Sequence, residues 1–244
     1  MIGYTYFVAV HGALGVIALI TFWSAAMFKK GSPKHRAVGK VFLLAMAGIV
    51  VSGIPLVVEA AFFRHQPGVA LFLTFLLPLT AQACWVAWRA VTDKRDWKRL
   101  VARPGWKLAK WLPALLAVPV LWVGARSGQM IFVGFAFIPL LSYINMHRFE
   151  QKGPQRGNWH VVMHYQAMLG GGIATHVAFL SIAMKPAWRW LSAHTAVPDG
   201  LIQAFPWFAP VAVATLAGVY LGRKYNRPQT AHAKSNVSAS ALTE

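Results

Sequence analysis

Three of the chain's nine histidines, His11, His164 and His176, fall inside stretches that are otherwise apolar. An imidazole in hydrocarbon needs a polar partner, and an intramembrane ionisable side chain marks a candidate site for a cofactor, an ion or a proton. His160 precedes His164 by four residues, so on a helix the two share a face. His35 and His147 stand where apolar stretches begin or end. Two chemistries suit this set. Imidazoles from two helices can ligate one haem iron, and three imidazoles with a water can hold zinc or another divalent metal.

The elements that must position these residues follow from composition. The chain has 244 residues, of which 57% are hydrophobic and 12% charged. Soluble domains carry about 25% charged residues, so the long apolar runs indicate an integral membrane protein. A span needs roughly 20 apolar residues, and the sequence predicts seven: 5–28, 37–63, 68–88, 111–126, 128–146, 160–184 and 203–222. The fourth and fifth are short, and Gly124-Ala125-Arg126-Ser127-Gly128 between them reads as the turn of a helical hairpin. Ser32 and Pro33 form a start signal for the second helix. The fold class is therefore an all-α bundle of seven transmembrane helices over residues 1–222. Residues 223–244 read as a disordered tail.

The basic residues set the direction. All but four of the 24 Lys and Arg side chains fall on one side of a seven-span topology, the exceptions being Arg64, Arg126, Lys185 and Arg189. The positive-inside rule then places the amino terminus outside and the carboxyl terminus in the cytoplasm. Residues 1–4 have no basic stretch and Lys29-Lys30 follow the first apolar run, so that run reads as a retained helix. The net charge of +18 is topological, and no nucleic-acid-binding motif accompanies it. The single cysteine, Cys84, excludes an intrachain disulfide. No phosphate-binding loop or nucleophile elbow is present, and the last span carries no lysine for a retinal Schiff base.

At a rise of about 1.5 Å per residue, His11 lies roughly 9 Å in from the outer end of the first span. His176 lies about 12 Å from the outer end of the sixth. The two are thus expected at similar depth on different helices, as one haem would require. His35, His147, His160 and His164 form a second group at the cytoplasmic end, with Arg36 and Lys40 beside it. His164 and His176 are 12 residues apart, about 120° out of phase, whereas two stacked haems favour a spacing near 14. Gly170-Gly171-Gly172 between them can kink the helix, admit a flat macrocycle, or make a close helix contact.

The run Lys30-Gly31-Ser32-Pro33-Lys34-His35-Arg36-Ala37-Val38-Gly39-Lys40 follows His11 and precedes Ser52-Gly53. With Asn158-Trp159-His160-Val161-Val162-Met163-His164-Tyr165, it resembles an uncharacterised family of bacterial polytopic membrane proteins. That resemblance covers roughly residues 1–185 and implies a multi-pass protein of the bacterial inner membrane. More loosely, the chain is similar to the b-type transmembrane cytochromes. This implies haem b held by His11, His35, His164 and His176, with Arg36 and Lys40 near its propionates.

Three functions stay open. One is a haem-binding electron carrier whose partners are the bilayer and a quinone or redox protein. Another is a non-enzymatic transporter, sensor or assembly subunit. The third is a metal-dependent membrane hydrolase using His160, His164, His35 and His147. Whether the protein is an enzyme is left open.

Overall fold

A computed structural model describes residues 2–225, with side chains from Tyr4 onward. The predicted tail from 226 to 244 lies outside the described residues. Nine helices and no strand occur among those described: α1 (Ile2–Met27), α2 (Pro33–Val58), α3 (Pro67–Thr92), α4 (Trp97–Ala102), α5 (Pro104–Ser127), α6 (Met130–Lys152), α7 (Trp159–Ala178), α8 (Lys185–His194) and α9 (Asp199–Tyr225). Seven are long and apolar enough to cross a bilayer: α1, α2, α3, α5, α6, α7 and α9. The all-α, seven-helix expectation therefore holds. Two short helices, α4 and α8, were not anticipated. The last helix also runs three residues past 222, where Asn158 Nδ2 donates to the Tyr225 carbonyl.

Local signals explain the boundaries. Ser32 Oγ accepts the backbone N–H of His35 at 3.2 Å, capping α2 in front of Pro33. Proline likewise opens α3 and α5. Gly128 ends α5 at φ 68°, a left-handed conformation that favours glycine. The α5–α6 hairpin depends on a second glycine: a Cβ on Gly124 would lie 2.7 Å from Phe132 Cβ and 3.0 Å from the Val133 nitrogen. Two helices end in a π turn, α2 over Glu59–Phe63 and α7 over Phe179–Ala183.

The fourth span begins at Pro104, seven residues earlier than its apolar run. Lys107 and Lys110 hid that start. Lys110 is buried and tolerated there because its Nζ donates to the Glu150 carboxylate on α6. Ahead of it, Asp93 closes α3 and receives Arg103 Nε at 2.9 Å as well as the Arg89 guanidinium. Asp96 caps α4 through the Arg99 N–H at 2.9 Å.

Packing joins the helices in a definite order. Helices α1, α2, α3 and α7 form a ring in which each touches the next and α7 closes back on α1. From this ring, α5 packs on α3 and carries α6 with it, and α9 packs on α7. One apolar cluster, Ala18, Phe42, Ala45 and Met46, fills the ring. Another, with Phe72, Phe75, Ala117, Val120 and Ala136, joins α3 to the hairpin. Buried positions are rich in alanine while Leu44, Leu115, Trp122 and Leu216 face outward. Small residues let the backbones approach where lipid offers no hydrophobic drive for association.

The Asp93 clamp yields a pH-dependent expectation. Burial alone raises the Asp93 carboxyl, but the hydrogen bonds and charges of Arg103 and Arg89 outweigh it and hold the group below its ordinary value. A lowered folded value contributes stability that is complete above the unfolded pKa of about 3.9 and is lost as pH falls through the folded one. Asp93→Asn is expected to cost roughly 1.5–3 kcal/mol at pH 7, with the same deficit at pH 5. The deficit should shrink as pH falls below the unfolded value. Thermal unfolding of both proteins in detergent across pH 7 to 3 checks this; a deficit unchanged at pH 3 would sink it.

Candidate functional site

All four histidines proposed to hold a cofactor, His11, His35, His164 and His176, stand on the α1–α2–α3–α7 ring, and each is tied to other groups by a nitrogen. Ser52 Oγ donates to the Gly48 carbonyl at 2.7 Å, so its oxygen accepts from His11 Nδ1 at 3.0 Å. His35 Nδ1 donates to the Ala25 carbonyl at 3.0 Å, and His164 Nδ1 to that of Ala87 at 2.8 Å. His176 Nδ1 donates to Gly172 within its own helix at 2.7 Å. Trp23 donates its indole N–H to His176 Nε2 at 2.9 Å, and an indole can only donate. All four imidazoles therefore carry their proton on Nδ1. Three of these bonds join different helices: α1 to α2 twice, and α7 to α3. The Trp23 bond adds α1 to α7.

The expected outer pair is not brought together. On α1, His176 packs edge-on against Phe22 and Trp23, with ring centroids at 5.4 and 5.7 Å. Those residues lie 11 and 12 positions beyond His11, about 17 Å along the axis. The first and sixth spans are nearly equal in length, 24 and 25 residues, so length alone does not fix their relative height. Contacts such as Thr175 Oγ1 to Met46 Sδ at 3.2 Å set the register instead. The glycine run is a close-contact surface. A Cβ on Gly172 would meet the Phe22 ring at 2.5 Å, and one on Gly171 would lie 3.5 Å from Phe42. Phenylalanine rings occupy the space considered for a macrocycle.

Of the basic-end group, His35 and His160 lie close enough to His164 for their charges to act on it, while His147 stands apart. His147 stacks on Tyr143 one turn back along α6, outside the ring. His160 sits against Trp159, and its Nδ1 is buried without a hydrogen-bond partner. Among the described residues no three His, Cys, Asp or Glu side chains come together as a metal site. Arg36 and Lys40 are exposed on α2. Lys30, between α1 and α2, donates to the Ala25 and Ala26 carbonyls. Burial, and then the charge of Lys224, lower its pKa.

A cavity of about 2670 Å³ runs through the bundle, lined by α1, α2, α3, α6, α7, α8 and α9 and by Trp106 of α5. Its walls are mostly apolar, including Leu73, Leu76, Ile138, Met163, Ala167 and Ala174. One mouth carries Arg64, Lys185, Arg189 and Asp199; the other carries Arg148, Lys152 and Arg156. Among the described histidines only His11 lines this space. Gln82, which sequence reading passed over, is nearly buried at the cavity wall. Its Nε2 donates to the Ala109 carbonyl at 2.8 Å and to Ser142 Oγ at 3.1 Å, tying α3 to α5 and α6. A glutamine inside an apolar run was the available signal.

No family profile, curated protein or solved structure matches the chain.

The Trp23–His176 bond can be measured directly. Trp23→Phe keeps a ring but removes the donor, and His176→Phe removes the acceptor. A double-mutant cycle on thermal stability is expected to give a coupling of about 0.6–1.7 kcal/mol. Additive losses would show that the bond contributes nothing.

Proposed function

We propose that the protein is a non-enzymatic carrier or sensor in the bacterial inner membrane, binding a long apolar molecule with a small polar head. Lipids and isoprenoid quinones form that class. The observation that carries this reading is the cavity. At about 2670 Å³ it exceeds the 300–1,000 Å³ typical of small-molecule pockets. Its apolar walls suit chains, and its charged mouths suit a head at the membrane surface. Among the described residues no three His, Cys, Asp or Glu side chains accompany it in an arrangement that could hold a metal.

Blocking the cavity tests the proposal. Ala167→Phe with Ala174→Phe places two rings in the space without touching the histidines. Lipid and quinone retained by purified protein, quantified by mass spectrometry, are expected to fall about tenfold, equivalent to roughly 1.4 kcal/mol. Unchanged size-exclusion and circular dichroism profiles control for folding. Undiminished retention would remove the cavity from the function.

A haem-binding electron carrier is the second reading. It is favoured by one observation: Nδ1 of His35 and of His164 is fixed by a backbone carbonyl, the outer partner that ligating histidines commonly have. Against it, neither residue reaches the cavity, and the Nε2 of His176 already accepts from Trp23. The residues as arranged do not fit haem, so no electron-transfer step is derived. A reduced-minus-oxidised absorption spectrum after haem supplementation decides the matter. A Soret band abolished by His35→Ala and by His164→Ala would establish this reading, and no band would end it.

A further inference from the structure

We infer that the mouth lined by Arg148, Lys152 and Arg156 holds the phosphate of an anionic phospholipid whose chains lie in the apolar cavity. The inference rests on the cavity reading above and names the substrate class. Arg148 and Lys152 are four residues apart at the end of α6, so they share a face. Arg156 follows in the short connection to α7. All three line the cavity.

Charge accounting leaves these three cations without an internal partner. The chain has only six acidic residues, and those described are committed elsewhere. Asp93 holds Arg89 and Arg103, Glu59 pairs with Arg64, and Glu150, though close in sequence, is engaged by Lys110. Asp96 caps α4, and Asp199 lies at the far mouth. Among the described residues, no carboxylate pairs with Arg148, Lys152 or Arg156. At the far mouth Arg64 has both Glu59 at 3.5 Å and the Tyr4 ring at 4.4 Å, and Asp199 adds a carboxylate beside Lys185 and Arg189, so the net positive charge there is smaller.

The connection carrying Arg156 is pinned at both ends. Gly153 takes φ 66° with its backbone against Trp97, where a Cβ would meet the indole at 2.8 Å. Asn158 is bonded to the Tyr225 carbonyl. Three cations without internal counter-charge are thus held at the rim of an apolar space. Guanidinium groups match phosphate oxygens in a two-point geometry, and each cation near an anionic lipid surface contributes about 1 kcal/mol, or roughly fivefold. A free phosphate ion offers the same oxygens but nothing to fill the cavity, so the lipid is the ligand assigned.

The test compares the full-length wild type with Arg148→Gln/Lys152→Gln/Arg156→Gln by native mass spectrometry in detergent. The probes are phosphatidylglycerol, phosphatidylcholine with the same chains, and inorganic phosphate. Wild type is expected to prefer phosphatidylglycerol by about tenfold or more. The triple variant should show less than about a twofold preference while binding phosphatidylcholine as wild type does. Lys98→Gln/Lys107→Gln, which removes exposed charge outside the cavity, should leave the preference intact. A preference kept by the triple variant, or lost equally in the control, overturns the headgroup site. Inorganic phosphate binding as tightly as phosphatidylglycerol would make it a free-ion site and overturn the lipid assignment. Failure of the cavity reading looks different: wild type then binds neither lipid, or Ala167→Phe/Ala174→Phe binds both undiminished.

Discussion

Hydrocarbon offers no hydrogen-bond partner, so a polar side chain placed in a membrane helix must find one on the protein. That constraint organises this bundle. His11 finds Ser52, His35 finds Ala25, His164 finds Ala87, and His176 finds Gly172 and Trp23. Gln82 does the same for the α5–α6 hairpin. All but the His176–Gly172 bond within α7 fall at the joints between helices, where each adds direction to van der Waals packing that has little of its own. Polar residues in an apolar sequence were the best clue to a site, and most of them act as ties.

The ties also shape the cavity. The ring interior is filled by Phe42, Met46 and their neighbours, and His35, His164 and His176 do not line the cavity. Helix α6 makes its extensive contact with α5 alone, which leaves room between it and α7. Proximal helices are closed by aromatic contacts at either end: Phe135 with Trp207, and Phe149 with Trp159. The volume between those contacts is bounded mostly by apolar side chains.

Particular residues show where sequence reading reached and where it stopped. The seven spans were legible from apolar run length, because chain length sets reach across a bilayer. The start of α5 was misplaced because Lys110 is charged, and only its pairing with Glu150 makes that position habitable. Helix α8 escaped notice because Lys185, Trp188, Arg189 and Trp190 mix charge with aromatic surface over too short a run to span. The π turn before it receives the Trp188 indole at the Leu180 carbonyl, 2.6 Å away, a contact no spacing rule predicts.

The sequence by itself determined the fold class, the number of long apolar helices, their turns and caps, and which polar residues would need partners. Local propensity and burial are encoded residue by residue, so these could be read off. Tertiary structure alone decided which helices are neighbours and at what relative height. Side-chain contacts set the register of one helix against another, and pairing at equal nominal depth cannot see that. His11 and His176 are the case in point. Both are half-buried imidazoles with partners, as their types required, and they belong to different parts of the bundle because α7 is set against α2 by Met46 and Thr175.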